Sequence, residues 1–380
     1  MSLSMDSRCI HGDIHKNRDE LCSISYPIYQ TASFSHLTPG HNLSGFDYSR
    51  ETNPTRAYLE ETMSSLEGAA DSIAFSTGMA AVALMLDYFK PGDHIICGED
   101  LYGGVVRYNK LICEKNGLLI DYVDTRDPAN IEKAVRKETR LIYFETPSNP
   151  MMQVTDIKKA AEIAHANGAL LAVDNTFMTP YFQNPIELGA DLVIHSGTKY
   201  LGGHNDTLCG FLCVKDKELA AEYRLLSKTT GAILAPLEAW LIMRGLKTLH
   251  IRMERHKSNA DEIFNWLRDQ NWVRRIFFIG DKDHPQYELN ASQSRGYSGM
   301  ISFETDTKER ALHILESVKL ITFAESLGGT ESLLTYPTVQ THPDVPDEAK
   351  KALGISDRLL RLSVGLEGAD DLIRDLEMAV

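Results

Sequence analysis

The amino-acid sequence predicts an α/β protein with a large, mostly parallel sheet, followed by a smaller α+β domain. Short runs of consecutive apolar residues recur between residues 72 and 214, among them HIICGE, LIYFE, LLAVDN and DLVIHSG. Segments with helical periodicity lie between such runs, as DIKKAAEIAHANG does. Strands made of continuous apolar runs belong to sheets that are covered on both faces, and such sheets are mostly parallel.

The order of the elements along the chain supports this architecture. Residues 1–47 are polar and irregular, and we expect them to form an N-terminal arm. RAYLEETMSSLEG predicts an amphipathic helix that ends at a glycine, and SIAF predicts a strand before a helix that begins near STGM. The strands expected after it are HIICGE, LIDYVD, LIYFE, LLAVDN, DLVIHSG and GFLCV.

A long helical stretch marks the change of domain. Residues 236–270 have helical character, with a possible break at Gly245. Beyond them, GMISFET and LLRLSVGL predict strands and ERALHILESVKL predicts a helix. We therefore divide the chain into an arm at residues 1–47, a ligand-binding domain at 48–245 and a C-terminal domain at 246–380.

Composition and charge exclude several classes of function. The net charge of −14 argues against nucleic acid or an anionic membrane as the main partner. The first residues carry no signal-peptide pattern and the six cysteines are sparse, so we expect a cytoplasmic protein without disulfides. The histidines include no HExxH pattern, so no metal site is expected, and the glycine fingerprint of NAD-dependent oxidoreductases is absent.

Residues able to bind a charged, flat ligand stand directly after the expected strands. SIAF is followed by STGM, HIICGE by DLYGG, and LIYFE by TPSNP. LLAV is followed by Asp174, and DLVIH by SGTK, in which Lys199 lies among small residues. Ligands of open α/β sheets bind at the carboxyl ends of strands, and helix N-termini there bind anions. This edge of the sheet therefore offers an anion cradle, an aromatic ring, a carboxylate and an amine.

These four groups match the requirements of pyridoxal 5'-phosphate. Its aldehyde forms a Schiff base with a lysine, and a substrate amine then displaces that lysine. A carboxylate keeps the ring nitrogen protonated, an aromatic side chain stacks on the ring, and hydroxyls with backbone N–H groups hold the phosphate. Each residue alone has an ordinary structural explanation, so the prediction depends on the ordered set.

With these motifs, the sequence resembles the Cys/Met-metabolism, or transsulfuration, enzymes that depend on pyridoxal phosphate. The resemblance covers nearly the whole chain and implies the large domain of the aspartate-aminotransferase type. The segments that carry it are DYSRETNPTR, AFSTGMAA, DLYGG, ETPSNP, VDNTF, ELGADLVIHSGTKYLGGHND, WLIMRGLKTL, AESLGGTESL and LLRLSVGLE.

The resemblance implies how the cofactor is held. Lys199 resembles the Schiff-base lysine, Asp174 the partner of the ring nitrogen, and Tyr102 the stacking aromatic that also acts on the leaving group. The phosphate ligands implied within the same chain are Gly78, Met79, Ser196 and Thr198. Two further phosphate ligands, Tyr48 and Arg50, would come from a neighbouring subunit, which the arm at residues 1–47 would also reach. This implies active sites shared within a homotetramer, a dimer of dimers.

The resemblance also implies the substrate contacts. Arg361 resembles the arginine that binds the substrate α-carboxylate, for which a bidentate guanidinium is suited. Asn149 and Ser326 are similar to the residues that support ring and substrate. Glu325 is similar to a glutamate that meets the distal ammonium of a substrate, and Asp47 is a second acidic candidate at the entrance.

We expect elimination or replacement at the β- or γ-carbon of a sulfur amino acid, with a cystathionine lyase of methionine and cysteine metabolism as the first interpretation. GHND and TYPTVQTHPDVPDE also resemble enzymes of γ-replacement, so a cystathionine γ-synthase or an O-acylhomoserine sulfhydrylase is the alternative. Gly104 stands where methionine γ-lyases have a cysteine, which argues against that specificity. A non-catalytic protein that binds pyridoxal phosphate is the alternative from a different class.

Overall fold

The strands of the described residues form two sheets, one from residues 71–214 and the other from residues 273–363. The computed structural model describes residues 3–12, 19, 21–39, 41–42, 44–340, 350 and 353–380. Residues 341–348 of TYPTVQTHPDVPDE and parts of the expected arm therefore lie outside the described residues.

The first sheet has seven strands in the order β1-β7-β6-β5-β4-β2-β3. Its strands are β1 (Asp71–Phe75), β2 (His94–Gly98), β3 (Leu119–Val123), β4 (Thr139–Glu145), β5 (Leu170–Asp174), β6 (Leu192–Ser196) and β7 (Gly210–Val214). β7 runs antiparallel to both of its neighbours, and the other pairs are parallel. The prediction of a large, mostly parallel sheet is confirmed.

Helices cover both faces of this sheet, as the apolar strands require. One face packs against α1 (Met5–His11), α2 (Pro54–Glu67), α5 (Pro128–Ala134), α6 (Ile157–Ala166), α7 (Thr179–Phe182), α9 (Pro236–Leu246) and the start of α10 (Leu249–Arg268). The other packs against α3 (Gly78–Asp87), α4 (Gly103–Tyr108) and α8 (Lys217–Thr230). A π-helical turn, Asn109–Cys113, continues α4. Successive strand residues alternate between the two cores: Leu141 is buried in one and Ile142 in the other.

The second sheet has five strands in the order β10-β11-β12-β9-β8. They are β8 (Val273–Phe277), β9 (Met300–Thr305), β10 (Thr322–Phe323), β11 (Leu333–Thr335) and β12 (Leu359–Ser363). The helices of this part are α11 (Tyr287–Gln293), α12 (Lys308–Ser317) and α13 (Ala369–Met378), and the second half of α10 shares a core with the sheet. The smaller α+β part is therefore confirmed, while the domain division at residue 245 stays a prediction.

The helical stretch at residues 236–270 breaks after Gly245. α9 continues through that glycine to Leu246, and α10 begins at Leu249. A Cβ added at Gly245 would overlap the carbonyl oxygen of Gly202, so this glycine permits close approach of α9 to the turn after Lys199. No helix in the described part of the chain is long and apolar enough to cross a membrane.

A partly buried ion-pair cluster fixes β1, the strand that leads into the expected anion cradle. Arg224 on α8 donates both Nε and Nη2 to Asp71, at 2.7 Å each, and Nη1 to Glu60 on α2 at 2.7 Å. Glu60 in turn accepts a hydrogen bond of 2.9 Å from the backbone N–H of Ala74. Arg224 thus joins both helices to the first strand.

We predict that Arg224→Ala lowers the free energy of unfolding by about 2 kcal/mol, measured by urea denaturation at fixed protein concentration. Loss of one partner from a buried pair costs roughly 3–5 kcal/mol, and an exposed pair contributes about 0–1 kcal/mol. The Arg224 side chain is 29% exposed and Glu60 is 6% exposed, so the cost should lie between these ranges.

Arg126→Ala is the matched control for this prediction. Arg126 forms the same forked pair, with Asp124 at 2.7 and 2.6 Å, but its side chain is 46% exposed. The expected loss is below about 1 kcal/mol. Equal losses for the two variants would show that the Arg224 cluster contributes no more than a surface pair.

Candidate active site

A cavity of about 220 Å³ opens at the carboxyl ends of the first sheet's strands. Residues that follow β1, β4, β5 and β6 line it from one side, and residues of the second sheet and its loops line it from the other. The site residues predicted from the sequence that line it are Gly78, Met79, Tyr102, Asn149, Asp174, Ser196, Thr198, Lys199, Glu325, Ser326 and Arg361. Tyr48 and Arg50 are not among its lining residues.

The N-terminus of α3 forms an anion cradle on the cavity wall. Thr77 is the N-cap and accepts a hydrogen bond of 3.0 Å from the backbone N–H of Ala80. The N–H groups at the start of a helix have no partner within it, and Gly78 and Met79 provide them here. A Cβ added at Gly78 would lie 3.1 Å from the Cβ of Ser196. A side chain at residue 78 would therefore crowd Ser196, and glycine leaves the space beside its hydroxyl open.

Two hydroxyl side chains from the β6 region complete the cradle. The backbone N–H of Ser196 donates to Oγ1 of Thr176 at 2.8 Å. Oγ1 of Thr198 accepts from the backbone N–H of Cys209 at 3.0 Å. A Cβ added at Gly210 would overlap the carbonyl oxygen of Thr77, so β7 approaches the start of α3 closely because residue 210 is glycine.

Lys199 has an amine suited to reaction with a carbonyl group. Its Nζ donates to Oγ of Ser326 at 2.9 Å. Burial, and then the charge of Arg361, lowers the pKa of Lys199 to about 8. A nucleophilic or basic amine must be unprotonated, so this environment favours the reactive form near neutral pH.

Asp174 and Glu145 lie side by side at the ends of two parallel strands. They are paired residues of β5 and β4, so their side chains point to the same face of the sheet. The Oδ1 of Asp174 accepts a hydrogen bond of 2.9 Å from the backbone N–H of Thr176. Burial raises the pKa of both carboxyls, and the charge of Asp174 raises that of Glu145 further. Such a pair holds a proton more readily than either carboxyl would in water.

Tyr102 lies at the start of α4 and is 37% exposed. Its backbone N–H donates to Oε1 of Glu145 at 2.6 Å. A Cβ added at Gly104 would lie 2.5 Å from Cε1 of Tyr102, so the ring rests against a residue without a side chain. Burial, followed by the charge of Glu325, raises the pKa of the phenol. The hydroxyl is therefore protonated at neutral pH.

Among the residues that the structure describes, Arg361 on β12 is a buried cation whose hydrogen-bond partners are neutral oxygens. Its Nη1 donates to Oδ1 of Asn149 at 2.7 Å, and its Nη2 to the carbonyl oxygen of Ser326 at 3.0 Å and Oγ1 of Thr335 at 3.2 Å. The residue is 2% exposed, and burial lowers its pKa to about 10. Neutral oxygens orient the guanidinium but leave its charge uncompensated, which suits it to binding an anion.

Ser326 connects the lysine and the arginine through a strained backbone. Its φ is 126°, in a region that residues other than glycine rarely adopt. Strain of this kind persists where surrounding contacts enforce it and is concentrated at functional sites. Here the conformation lets the hydroxyl of Ser326 reach Lys199 while its carbonyl oxygen reaches Arg361.

The two acidic candidates at the entrance differ in position. Glu325 is exposed, lines this cavity, and lines the wider cavity of about 880 Å³ that adjoins it. Its charge acts on Lys199, Tyr102 and Arg361. Asp47 is instead paired with Nε2 of His36 at 2.8 Å and does not line the cavity of its own chain.

Tyr48 and Arg50 contact each other away from the cavity. The guanidinium carbon of Arg50 lies 5.4 Å from the centre of the Tyr48 ring, and its Nη1 donates to the carbonyl oxygen of Lys228 at the end of α8. Tyr48 is 42% exposed. Within one chain, these two side chains do not join the other predicted phosphate ligands.

Glu145 is the residue of this site that the sequence analysis missed. It ends the run LIYFE, at the same position relative to its strand as Asp174 has in LLAVD. The rule that selects Asp174 therefore also applies to Glu145, whose place at the end of an apolar run is the sequence signal for it.

The arrangement fits pyridoxal phosphate. The glycines at positions 78 and 210 keep a cradle open at a helix N-terminus beside two hydroxyls, which suits a phosphate. A buried amine, a carboxyl and an aromatic ring line the same cavity, as the cofactor's aldehyde, ring nitrogen and ring require.

Comparisons with known proteins agree with this fit. Residues 6–380 match the family described as Cys/Met metabolism PLP-dependent enzyme. The chain is 43% identical to a cystathionine beta-lyase of Lactococcus lactis subsp. cremoris (strain MG1363), over 99% of each chain. It is also 43% identical to a cystathionine gamma-lyase of Bacillus subtilis (strain 168), over 98% of this chain and 97% of the relative.

A solved structure extends the likeness to the fold. The cystathionine gamma synthase from Xanthomonas oryzae pv. oryzae, in complex with aminoacrylate and cysteine, is 37% identical, with a TM-score of 0.96 over 100% of this chain and 98% of that chain. The resemblance inferred from the sequence motifs is confirmed over almost the whole chain. The protein belongs to the Cys/Met metabolism family of PLP-dependent enzymes.

Proposed function

We propose that the protein is a cystathionine lyase, which cleaves a C–S bond of its substrate in transsulfuration. The observation that carries this choice is the exposed carboxylate of Glu325 at the mouth of the cavity that Lys199 and Arg361 line. Cystathionine has a second ammonium group far from its reacting carbon, and Glu325 is placed to attract it. The two lyase relatives support the same chemistry.

The residues that would hold the cofactor are those of the cavity floor. Lys199 would bind its aldehyde carbon and Asp174 its ring nitrogen, while Tyr102 would cover its ring. The phosphate would lie in the cradle made by Gly78, Met79, Ser196 and Thr198. When bound, pyridoxal phosphate supplies an electron sink for the negative charge that develops on the substrate α-carbon.

The substrate would be oriented by Arg361 and deprotonated by Lys199. The guanidinium, held by Asn149 and the carbonyl oxygen of Ser326, binds the α-carboxylate in a bidentate manner. Nζ of Lys199, with its pKa lowered to about 8, then takes the proton from the α-carbon and can return it to a neighbouring carbon. The phenol of Tyr102 is protonated and would donate a proton to the leaving sulfur.

The alternative function is γ-replacement, as in a cystathionine γ-synthase or an O-acylhomoserine sulfhydrylase. Its support is the TM-score of 0.96 with a cystathionine gamma synthase, which a cystathionine gamma-lyase structure equals. The early steps at the α-carbon are common to both reactions, so the same cavity residues serve either. A non-catalytic protein that binds the cofactor would have no need of the buried Arg361 and its three neutral partners.

We further propose that each active site is completed by a neighbouring subunit of a homotetramer. Tyr48 and Arg50 do not line the cavity of their own chain, and that cavity adjoins the wider cavity of about 880 Å³. The wider cavity is lined by Leu208 and Leu237, two exposed apolar residues that suit a subunit contact. The cytoplasm stays the predicted compartment.

We predict that the purified protein converts cystathionine and water to a 2-oxo acid, ammonia and a thiol. Pyruvate with homocysteine would identify cleavage at the β-carbon, and 2-oxobutyrate with cysteine would identify cleavage at the γ-carbon. The measurement is product analysis by mass spectrometry. Turnover of an acylated homoserine with a thiol, in the absence of cystathionine cleavage, would contradict the lyase and support the alternative.

Lys199→Ala is the control for this reaction. Because the variant lacks the amine that binds the cofactor and moves the proton, it should lose nearly all turnover. Borohydride reduction of the wild-type protein, followed by peptide mapping, should find the cofactor on Lys199, and label on another lysine would refute the assignment.

We predict that inactive Arg50→Ala and inactive Lys199→Ala subunits restore activity when they are mixed and allowed to exchange. At an equal ratio, activity should reach about a quarter of the wild-type value, since half of the dimers are hybrids and each hybrid has one intact site. The measurement is cystathionine turnover after exchange, and each variant incubated alone is the control. Absence of recovery, once exchange has been verified by mass, would exclude the shared site.

We predict that Glu325→Ala lowers kcat/KM for cystathionine by about tenfold or more and leaves cysteine, which lacks a distal ammonium, nearly unaffected. A hydrogen-bonded, partly desolvated charge contact contributes roughly 1.5–3 kcal/mol, and 1.4 kcal/mol corresponds to a factor of ten. The measurement is steady-state kinetics with both substrates.

Glu325→Gln is the matched variant, because it keeps the size of the side chain and removes its charge. It should show the same selective loss as Glu325→Ala. Equal losses on both substrates would mean that Glu325 supports the site in general and does not bind the distal ammonium.

A further inference from the structure

Glu145 has no assigned role in the proposed reaction, yet it is part of the cavity wall. It ends β4, lines the cavity beside Asp174, and lies on the same face of the sheet as that residue. A carboxyl in such a place requires a partner, because burying a polar group without one is costly. Its hydrogen-bond partner is a backbone N–H group of another segment.

That partner is the N–H of Tyr102, 2.6 Å from Oε1 of Glu145. Tyr102 precedes α4, a helix of six residues whose N-terminus has no side-chain cap. The carbonyl oxygen of Tyr102 is held by the N–H of Val105 at 2.8 Å. The contacts with Glu145 and Val105 therefore fix the peptide groups on either side of the Tyr102 Cα, which carries the ring.

Few bulky neighbours in the chain hold Tyr102 from its own segment. The residue is 37% exposed, and the two residues that follow it are Gly103 and Gly104. The ring rests against Gly104, where a side chain is excluded because a Cβ would lie only 2.5 Å from Cε1 of Tyr102. The position of the ring over the cavity therefore depends on the backbone more than on neighbouring side chains.

We propose that Glu145 is a positioning residue that holds the backbone of Tyr102 and so sets where the tyrosine ring lies over the cavity. The proposal rests on the proposed role of Tyr102 as the aromatic that covers the cofactor. Glu145 acts through Tyr102 and needs no contact with the substrate.

The protonation state of the Glu145 carboxyl group decides which substitution preserves its hydrogen bond. Burial raises the pKa of Glu145 well above its ordinary value, and the neighbouring charge of Asp174 adds to this. A neutral carboxyl has one carbonyl oxygen as acceptor and one O–H as donor, and the amide of glutamine offers the same pair. Glu145→Gln should therefore keep the hydrogen bond, whereas Glu145→Leu removes it with little change in volume.

The test compares these variants in the holoenzyme by two measurements. Circular dichroism in the absorption band of the bound cofactor reports how the aromatic ring lies against it and needs no turnover. Steady-state kinetics with cystathionine reports the effect on the reaction. We expect Glu145→Gln to match the wild type in the dichroism band and to stay within about threefold in kcat/KM. We expect Glu145→Leu to change the band and to lose about tenfold in kcat/KM, the equivalent of one hydrogen bond.

A double variant separates positioning from a general structural effect. If Glu145 acts through the tyrosine, Glu145→Leu should cost little further activity in a Tyr102→Ala background. Glu99→Ala removes a carboxylate near the end of the neighbouring strand β2 that does not line the cavity, and it should leave the dichroism band and kcat/KM unchanged. Glu145→Ala serves as the second removal variant if Glu145→Leu does not fold.

Two results would overturn the proposal. One is that Glu145→Gln behaves like the removal variants, and the other is that the effects of Glu145 and Tyr102 add in full. The dichroism measurement keeps this test separate from the proposed function. If cystathionine is not a substrate, a band that changes in Glu145→Leu and persists in Glu145→Gln still supports the positioning role, and an unchanged band in both variants refutes it.

Discussion

The site depends on one geometric constraint: the carboxyl ends of parallel strands meet at the same edge of a sheet. β1, β4, β5 and β6 all run in the same direction, because helices on both faces connect them. Groups far apart in the chain therefore come together without long loops. Thr77, Glu145, Asp174 and Ser196 each lie at or just beyond the end of a different strand, and together they line one side of the cavity. A register shift in any of these strands would remove its group from the site.

The second sheet adds the part of the site that binds negative charge. β12 carries Arg361 into the interior, where neutral oxygens of Asn149, Ser326 and Thr335 orient it. A carboxylate partner would compensate the charge and compete with an incoming anion. Neutral partners satisfy the hydrogen-bonding geometry and leave the positive charge in place, and its repulsion of Lys199 is one reason for the lowered pKa of that amine. The same arginine thus prepares the site for a carboxylate and favours the neutral lysine.

The paired carboxyls of Glu145 and Asp174 follow from the same sheet geometry. Parallel strands in register place their last side chains next to each other, and negative charges on two such neighbours repel each other. The two carboxyls differ in their backbone hydrogen bonds. Asp174 accepts one from Thr176 in the turn that follows its own strand, and Glu145 accepts one from Tyr102 in another segment. One carboxyl is therefore tied to the strand it ends, and the other reaches across to the segment that carries the aromatic ring.

The sequence by itself determined the strands and helices of the large domain, because apolar runs and glycine turns are local patterns. The order of its motifs, with the family resemblance they carry, determined most cavity residues, including Lys199. It did not reveal that β7 runs antiparallel, since an apolar run carries no direction. Only the tertiary structure decided which groups become partners. Glu145 meets Tyr102 across 43 residues, and Arg361 meets Asn149 across 212. Such contacts leave no periodic signal in the chain, because they arise only when separate strands pack against one another.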